Sequence, residues 1–156
     1  APHSGVAAFA SERYGVPVVR LDWVRPQPSA APSPGDAVLF PASALGRKGA
    51  YEVRDACRQL GLTVSVLGNA SERADFWEGV RTMRADPARL FDGVACVVLP
   101  AFVEQRPRLL LKAHASGVPV ICSPECGVPA EPGIAVVPAG DVPSLVEALG
   151  AHFSRA

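Results

Sequence analysis

Residues 93–100, GVACVVLP, are apolar at every position between Gly93 and Pro100. A strand with one wet face alternates polar and apolar side chains. An unbroken apolar run of this length belongs to a strand covered on both faces. Such a strand requires helices on two sides of a sheet, and the flanking text supplies them. DAVLFP (36–41), TVSVLG (63–68), VPVICS (118–123) and GIAVVP (133–138) read as further strands. GAYEVRDACRQLG (49–61) places Val53, Ala56, Cys57 and Leu60 on one helical face, with Gly61 as its stop. RPRLLLKAHASG (106–117) is a helix ended by Gly117, and DVPSLVEALGAHF (141–153) carries the stripe Val142, Leu145, Val146, Leu149. SERADFWEGVRTM (71–83) reads as one more helix with Ser71 as N-cap, although Gly79 and the following RADP oppose it.

Strands and helices alternating at these lengths imply right-handed crossovers. The expected fold class is therefore α/β: a Rossmann-like, doubly wound parallel sheet in three α/β/α layers. Residues 36–156 form that domain. Residues 1–35 hold a helix (GVAAFASERYG), a strand (VPVVRLDW) and a Pro-rich linker (RPQPSAAPSPG), an extra sheet edge or the tail of a preceding domain. The chain opens APHSG without an initiator methionine, as a processed product or a piece of a longer protein does.

Composition excludes several classes. Fifteen cations balance fifteen acids for a net charge of +0, so no nucleic-acid partner is expected. No apolar run approaches a membrane span. Cys57, Cys96, Cys122 and Cys126 lack C-x-x-C spacing and read as buried reduced thiols of a cytoplasmic protein. No His/Cys cluster supports a metal. His3, His114 and His152 are isolated, and Trp23 and Trp77 read as packing residues.

In a doubly wound sheet, ligands bind at the carboxyl ends of the strands where strand order reverses. If DAVLFP is the first strand, the reversal sets it beside ACVVLP, making their following loops neighbours. SALGRKG (43–49) brings Ser43, Arg47 and Lys48; AFVEQRP (101–107) brings Glu104 and Arg106, with Arg108 just beyond. Arg106 and Arg108 flank a helix start, where a cation opposes the helix dipole. Four cations and two helix N-termini meeting in one crevice suit a diphosphate. The first strand is followed by no G-x-G-x-x-G and no Walker lysine motif, which disfavours NAD and P-loop chemistry. Asn69, after VLG, and Ser123 and Glu125, after VPVIC, fall at the same edge as weaker nucleotide or sugar contacts, and Lys112 is a further weak contact of this kind.

At these residues the chain resembles the C-terminal, donor-binding domain of GT-B-fold glycosyltransferases, especially the large retaining group that uses nucleotide sugars. GRKG is similar to that family's Lys-Gly at the first helix. DGVACVVLPAFVEQRPRLLLKAHASGVPVICSPECGV resembles its strand, acidic loop, helix and G-V-P-V strand, and VPAGDVPSLVEAL its closing segment. The resemblance covers roughly residues 37–150. It implies a nucleotide-diphosphate sugar as donor substrate and no further cofactor. It also implies Lys48 on the diphosphate and Glu104 as the catalytic carboxylate near the transferred sugar. A missing N-terminal acceptor domain would complete the enzyme, leaving this isolated domain inactive, and any peripheral membrane association would come through that missing part. Two positions depart from the pattern: Lys112 stands where the family has a ribose-holding acid, and Ser43 where it has an arginine. The stretch between Gly68 and Asp92 is short for the family, as though one strand and its helix were lacking. A non-catalytic interaction module and a nucleotide-sugar epimerase of the same fold are the alternative readings.

Overall fold

A computed structural model describes residues 3–19, 21–27 and 31–154. Strands β1 (Ala37–Phe40), β2 (Val64–Val66), β3 (Thr82–Arg84), β4 (Val94–Leu99), β5 (Val120–Cys122) and β6 (Ile134–Val136) form one sheet in the order β3-β2-β1-β4-β5-β6. Every pairing is parallel, with Val38 opposite Val64 on one side and Cys96 on the other. The order reverses between β1 and β4, where the sequence pattern places it.

Helix α2 (Ala50–Leu60) links β1 to β2 in one direction, and α3 (Arg108–Ala115) links β4 to β5 in the other. Right-handed crossovers in opposite directions put them on opposite faces. Helix α4 (Val142–Phe153) packs beside α2 and returns over that face. The central strands are therefore covered on both sides. Val38, Leu39, Phe40, Val97 and Val98 are fully buried, which is why their segments show no polar alternation. On α2 the buried residues are Ala50, Val53, Ala56 and Cys57, and on α4 Leu145 and Leu149, the faces read from the sequence.

The segment 71–83 departs from the expected helix. It forms turns, with Gly79 at φ 79°, a left-handed conformation that breaks a helix, and Thr82 already begins β3. Phe76 and Trp77 anchor the turns: Phe76 meets Tyr51 edge-on at 5.0 Å, and Trp77 meets Phe40 at 5.8 Å. The short stretch before Asp92 thus carries a strand, all of it exposed at the sheet edge, and no α-helix.

Helix α1 (Ser4–Tyr14) forms as expected, but the described residues of 16–23 form no strand. They run as an extended strap tied by side chains. His3 Nε2 lies 2.8 Å from the Glu125 carbonyl, Trp23 Nε1 donates to the Gly127 carbonyl at 2.8 Å, and Arg25 forms a two-pronged ion pair with Glu131 at 2.7 and 3.0 Å. That pair holds the Glu131 carboxyl below its ordinary range, chiefly through the Arg25 hydrogen bond. His114 closes the clasp, 3.5 Å from Glu131. Of the linker, residues 28–30 lie outside the described residues.

Candidate functional site

The loop after β1 tightens into a 3-10 turn at Gly46–Lys48 and enters α2 through Gly49. Gly49 has φ 75°, and a Cβ there would stand 2.3 Å from the Pro100 carbonyl oxygen. Glycine thus lets the start of α2 touch the end of β4. The two loops are also sewn together by backbone, because the Arg47 carbonyl accepts from Phe102 N at 3.0 Å. This close approach makes residues some fifty positions apart neighbours.

Lys48 and Glu104 meet there. Lys48 Nζ donates to Glu104 Oε2 at 2.8 Å and to the Val103 carbonyl at 3.1 Å. The other carboxylate oxygen, Glu104 Oε1, accepts from the Arg106 amide at 2.7 Å. Both side chains are only 16% exposed. Burial alone would raise the Glu104 pKa. The Lys48 hydrogen bond, the Arg106 amide, the Lys48 charge and the Gln105 amide outweigh it and hold the carboxyl below its ordinary value. Glu104 is therefore an ionised carboxylate that already fills one cation and one amide at the start of the α3 segment.

Arg47, Arg106 and Arg108 are exposed, and none has an ion-pair partner among the described residues. Arg106 and Arg108, with Pro107 and Leu111, form one wall of a groove of about 420 Å³. Its other wall is the strap, Leu21 to Val24. The arginines that oppose the α3 dipole thus lie between the crevice loop and the strap.

The remaining expected site residues divide. Ser43 is half-buried in the loop after β1, backed by Gly68, where a Cβ would stand 2.3 Å from the Ser43 nitrogen. Asn69 is exposed at the same end; its carbonyl accepts from Ala44 N at 2.8 Å and its side chain from Arg84 at 3.4 Å. Ser123, expected at the crevice edge, is instead turned inward: it is fully buried, and its hydroxyl donates to the Ala101 carbonyl, supporting the loop after β4. Glu125 is exposed beneath His3. Lys112 lines a separate pocket with Arg89, Leu90 and Asp92, the residues just before β4, and so lies toward the amino ends of the strands. Two residues at the crevice went unread in the sequence. Glu72 accepts from the Gly46 amide at 2.7 Å, and Arg84 reaches Asn69. Neither sits in a recognisable motif; a turn segment and an edge strand carry them.

All four cysteines are free and buried. Burial pushes the Cys57 thiol up to about 12, and the Cys126 thiol faces the Leu99 carbonyl at 3.3 Å, a structural position. Among the described residues no group of His, Cys, Asp and Glu could hold a metal, and no helix is long and apolar enough to cross a membrane.

The family profile described as glycosyl transferases group 1 matches residues 47–154, more than half of the chain, and takes in Arg47 and Lys48 and the whole loop after β4. The chain belongs to this family. Solved structures with the same fold include the apo lipopolysaccharide outer core galactosyltransferase WaaB, 19% identical, with TM-score 0.70 over 99% of this chain and 52% of that one. The C-terminal domain of the group 1 protein LpcC from Francisella tularensis is 16% identical with TM-score 0.62, covering 78% of this chain and 77% of that one. HepE of Anabaena, solved with UDP and glucose, is 18% identical with TM-score 0.62, over 76% of this chain and 39% of that one. The chain spans about half the length of WaaB, and no curated protein matches its sequence. It is thus a group 1 glycosyltransferase domain whose sheet order and helix layers are those of the Rossmann-like half.

Proposed function

We propose that this chain is the donor-binding half of a glycosyltransferase that transfers a sugar from a nucleotide-diphosphate sugar to an acceptor. One observation carries this reading: Lys48 and Glu104, on the loops after β1 and β4, meet at 2.8 Å where the strand order reverses. A diphosphate in this crevice would meet Lys48, the cationic side chain of Arg47 and the partial positive charge at the starts of α2 and α3. These groups would stabilise the departing nucleoside diphosphate electrostatically, while the Glu104 carboxylate faces the transferred sugar. That HepE was solved with UDP and glucose supports the donor class.

The strap suits a preceding acceptor half. Its helix α1 buries no residue, and Val6, Phe9, Tyr14, Val16, Leu21 and Val24 are all exposed. A run of large apolar side chains of this extent fits packing against another domain. On this reading the isolated domain binds donor but transfers little sugar.

Calorimetric titration of the chain with UDP, GDP and ADP tests the reading. One of the three is expected to bind, and Lys48→Ala is expected to weaken it about tenfold or more, as loss of a charge-assisted contact does. Absence of binding to all three and to their sugar conjugates, or binding indifferent to Lys48→Ala, refutes it. Lys112, which takes the place of the family's acid and lies away from Glu104, favours a second reading: a group 1 fold retained as a non-catalytic interaction module. Absence of nucleotide binding by this chain points to the module.

A further inference from the structure

The carboxylate of Glu104 stands where an incoming phosphate would find its partners. One oxygen takes the ammonium of Lys48 at 2.8 Å, and the other takes the Arg106 amide at 2.7 Å just before α3. A cation and a backbone amide beside a helix start are the donors an anion needs. Across the crevice the same substitution recurs, since Glu72 fills the Gly46 amide of the turn that carries Lys48.

We infer that Glu104 is an internal anion that a phosphate must displace from Lys48, and that this exchange makes the site prefer a sugar-bearing donor over the bare nucleoside diphosphate. The inference rests on the crevice being the donor site. Its physical basis is a difference between the two ligands. When a diphosphate takes Lys48, Glu104 loses its cation and remains charged beside the phosphates, at only 16% exposure, where an unpaired charge is costly. A donor offers hydroxyl groups of its sugar to the released carboxylate and carries less negative charge on its terminal phosphate. The bare nucleoside diphosphate offers neither, so repulsion from Glu104 is uncompensated. Donor is thereby favoured over spent nucleotide, and the leaving diphosphate is expelled as Glu104 returns to Lys48.

The geometry also says what the carboxylate is not needed for. Arg47 holds the two loops together through its carbonyl, and Gly49 seats α2 on Pro100, so the crevice keeps its shape without the ion pair. Neutralising Glu104 therefore removes the anion from beside Lys48, whose bond to the Val103 carbonyl remains, without taking the loops apart.

The test is a set of titrations on this chain with UDP, GDP and ADP and with UDP-glucose, GDP-mannose and ADP-glucose, comparing wild type, Glu104→Gln and Glu104→Ala. Circular dichroism melting checks that each variant is folded. Both variants are expected to bind the bare diphosphate about fivefold or more tightly than wild type, the equivalent of about 1 kcal/mol. The preference for the sugar conjugate should shrink in step. If wild type binds the bare diphosphate and a folded variant binds it equally or more weakly, the displacement is refuted while the donor site stands. If no nucleotide binds wild type or either variant, the donor-site reading fails and the inference falls with it.

Discussion

Gly49 is the hinge of the crevice, and replacing it with alanine separates two costs that usually arrive together. Gly49 and Gly61 bracket the same helix, with φ 75° and 65°. Placing a β-carbon residue in this left-handed region costs about 1–2 kcal/mol, partly offset by the lower chain entropy of unfolded alanine, about 0.4–1 kcal/mol. Both terms are common to the two sites. What differs is space: a Cβ at Gly61 meets nothing within 4 Å, whereas at Gly49 it would stand 2.3 Å from the Pro100 carbonyl oxygen and 2.6 Å from Pro100 Cγ. Pro100 follows a fully buried stretch of β4 and cannot yield as a surface side chain would. Overpacking of this kind costs about 1–3 kcal/mol. Gly49→Ala should therefore be less stable than Gly61→Ala by about that amount, a melting point lower by roughly 2–12 °C for a domain of this size. Urea unfolding followed by circular dichroism measures it, with the denaturant slope expected to stay constant. Equal midpoints for the two variants would show that α2 is not seated on Pro100 and would remove the account of how Lys48 reaches Glu104.

Two further outcomes are expected. The folded-state pKa of Glu104 lies below its unfolded value, so its contribution to stability is present above the unfolded pKa and is lost as pH falls through the folded one. The stability gap between wild type and Glu104→Gln should be constant above the ordinary glutamate pKa and narrow as pH falls below it, with a gap that stays constant in acid counting against the ion pair. Arg25→Ala removes an exposed ion pair, worth no more than about 1 kcal/mol, yet it should speed chymotryptic cleavage after Trp23, because that pair anchors the chain two residues beyond the cleavage site. Unchanged cleavage would mean that Arg25 does not hold the strap.

The crevice was only partly legible in the sequence. Lys48 and Glu104 stand in recognisable surroundings, a Lys-Gly before a helix and an acid in the loop after the strongest strand. Ser123 shares that kind of position, at the end of an apolar strand, yet it points inward because the Ala101 carbonyl needs a donor. Lys112 sits at the family's spacing, but α3 has descended past the crevice by that turn, and the side chain meets the loop before β4. Position relative to a strand end says which edge a residue occupies; it does not say which way the side chain turns.

By itself the sequence determined what depends on neighbours within a few positions. Apolar runs, helical faces and glycine stops set α2, α3, α4 and every strand of the sheet but β3, and their alternation set a parallel sheet with its reversal between β1 and β4. Where local signals conflicted, in the segment 71–83, a glycine at φ 79° and two aromatic anchors decided for turns. It took the folded chain to pair Lys48 with Glu104, to tie the described residues of the strap at Gly127 through Trp23 and at Glu131 through Arg25, and to set two arginines in a groove against it. Those are contacts across long stretches of chain. They exist because a close glycine–proline approach and a sheet order bring distant loops together, and no local period in the sequence encodes them.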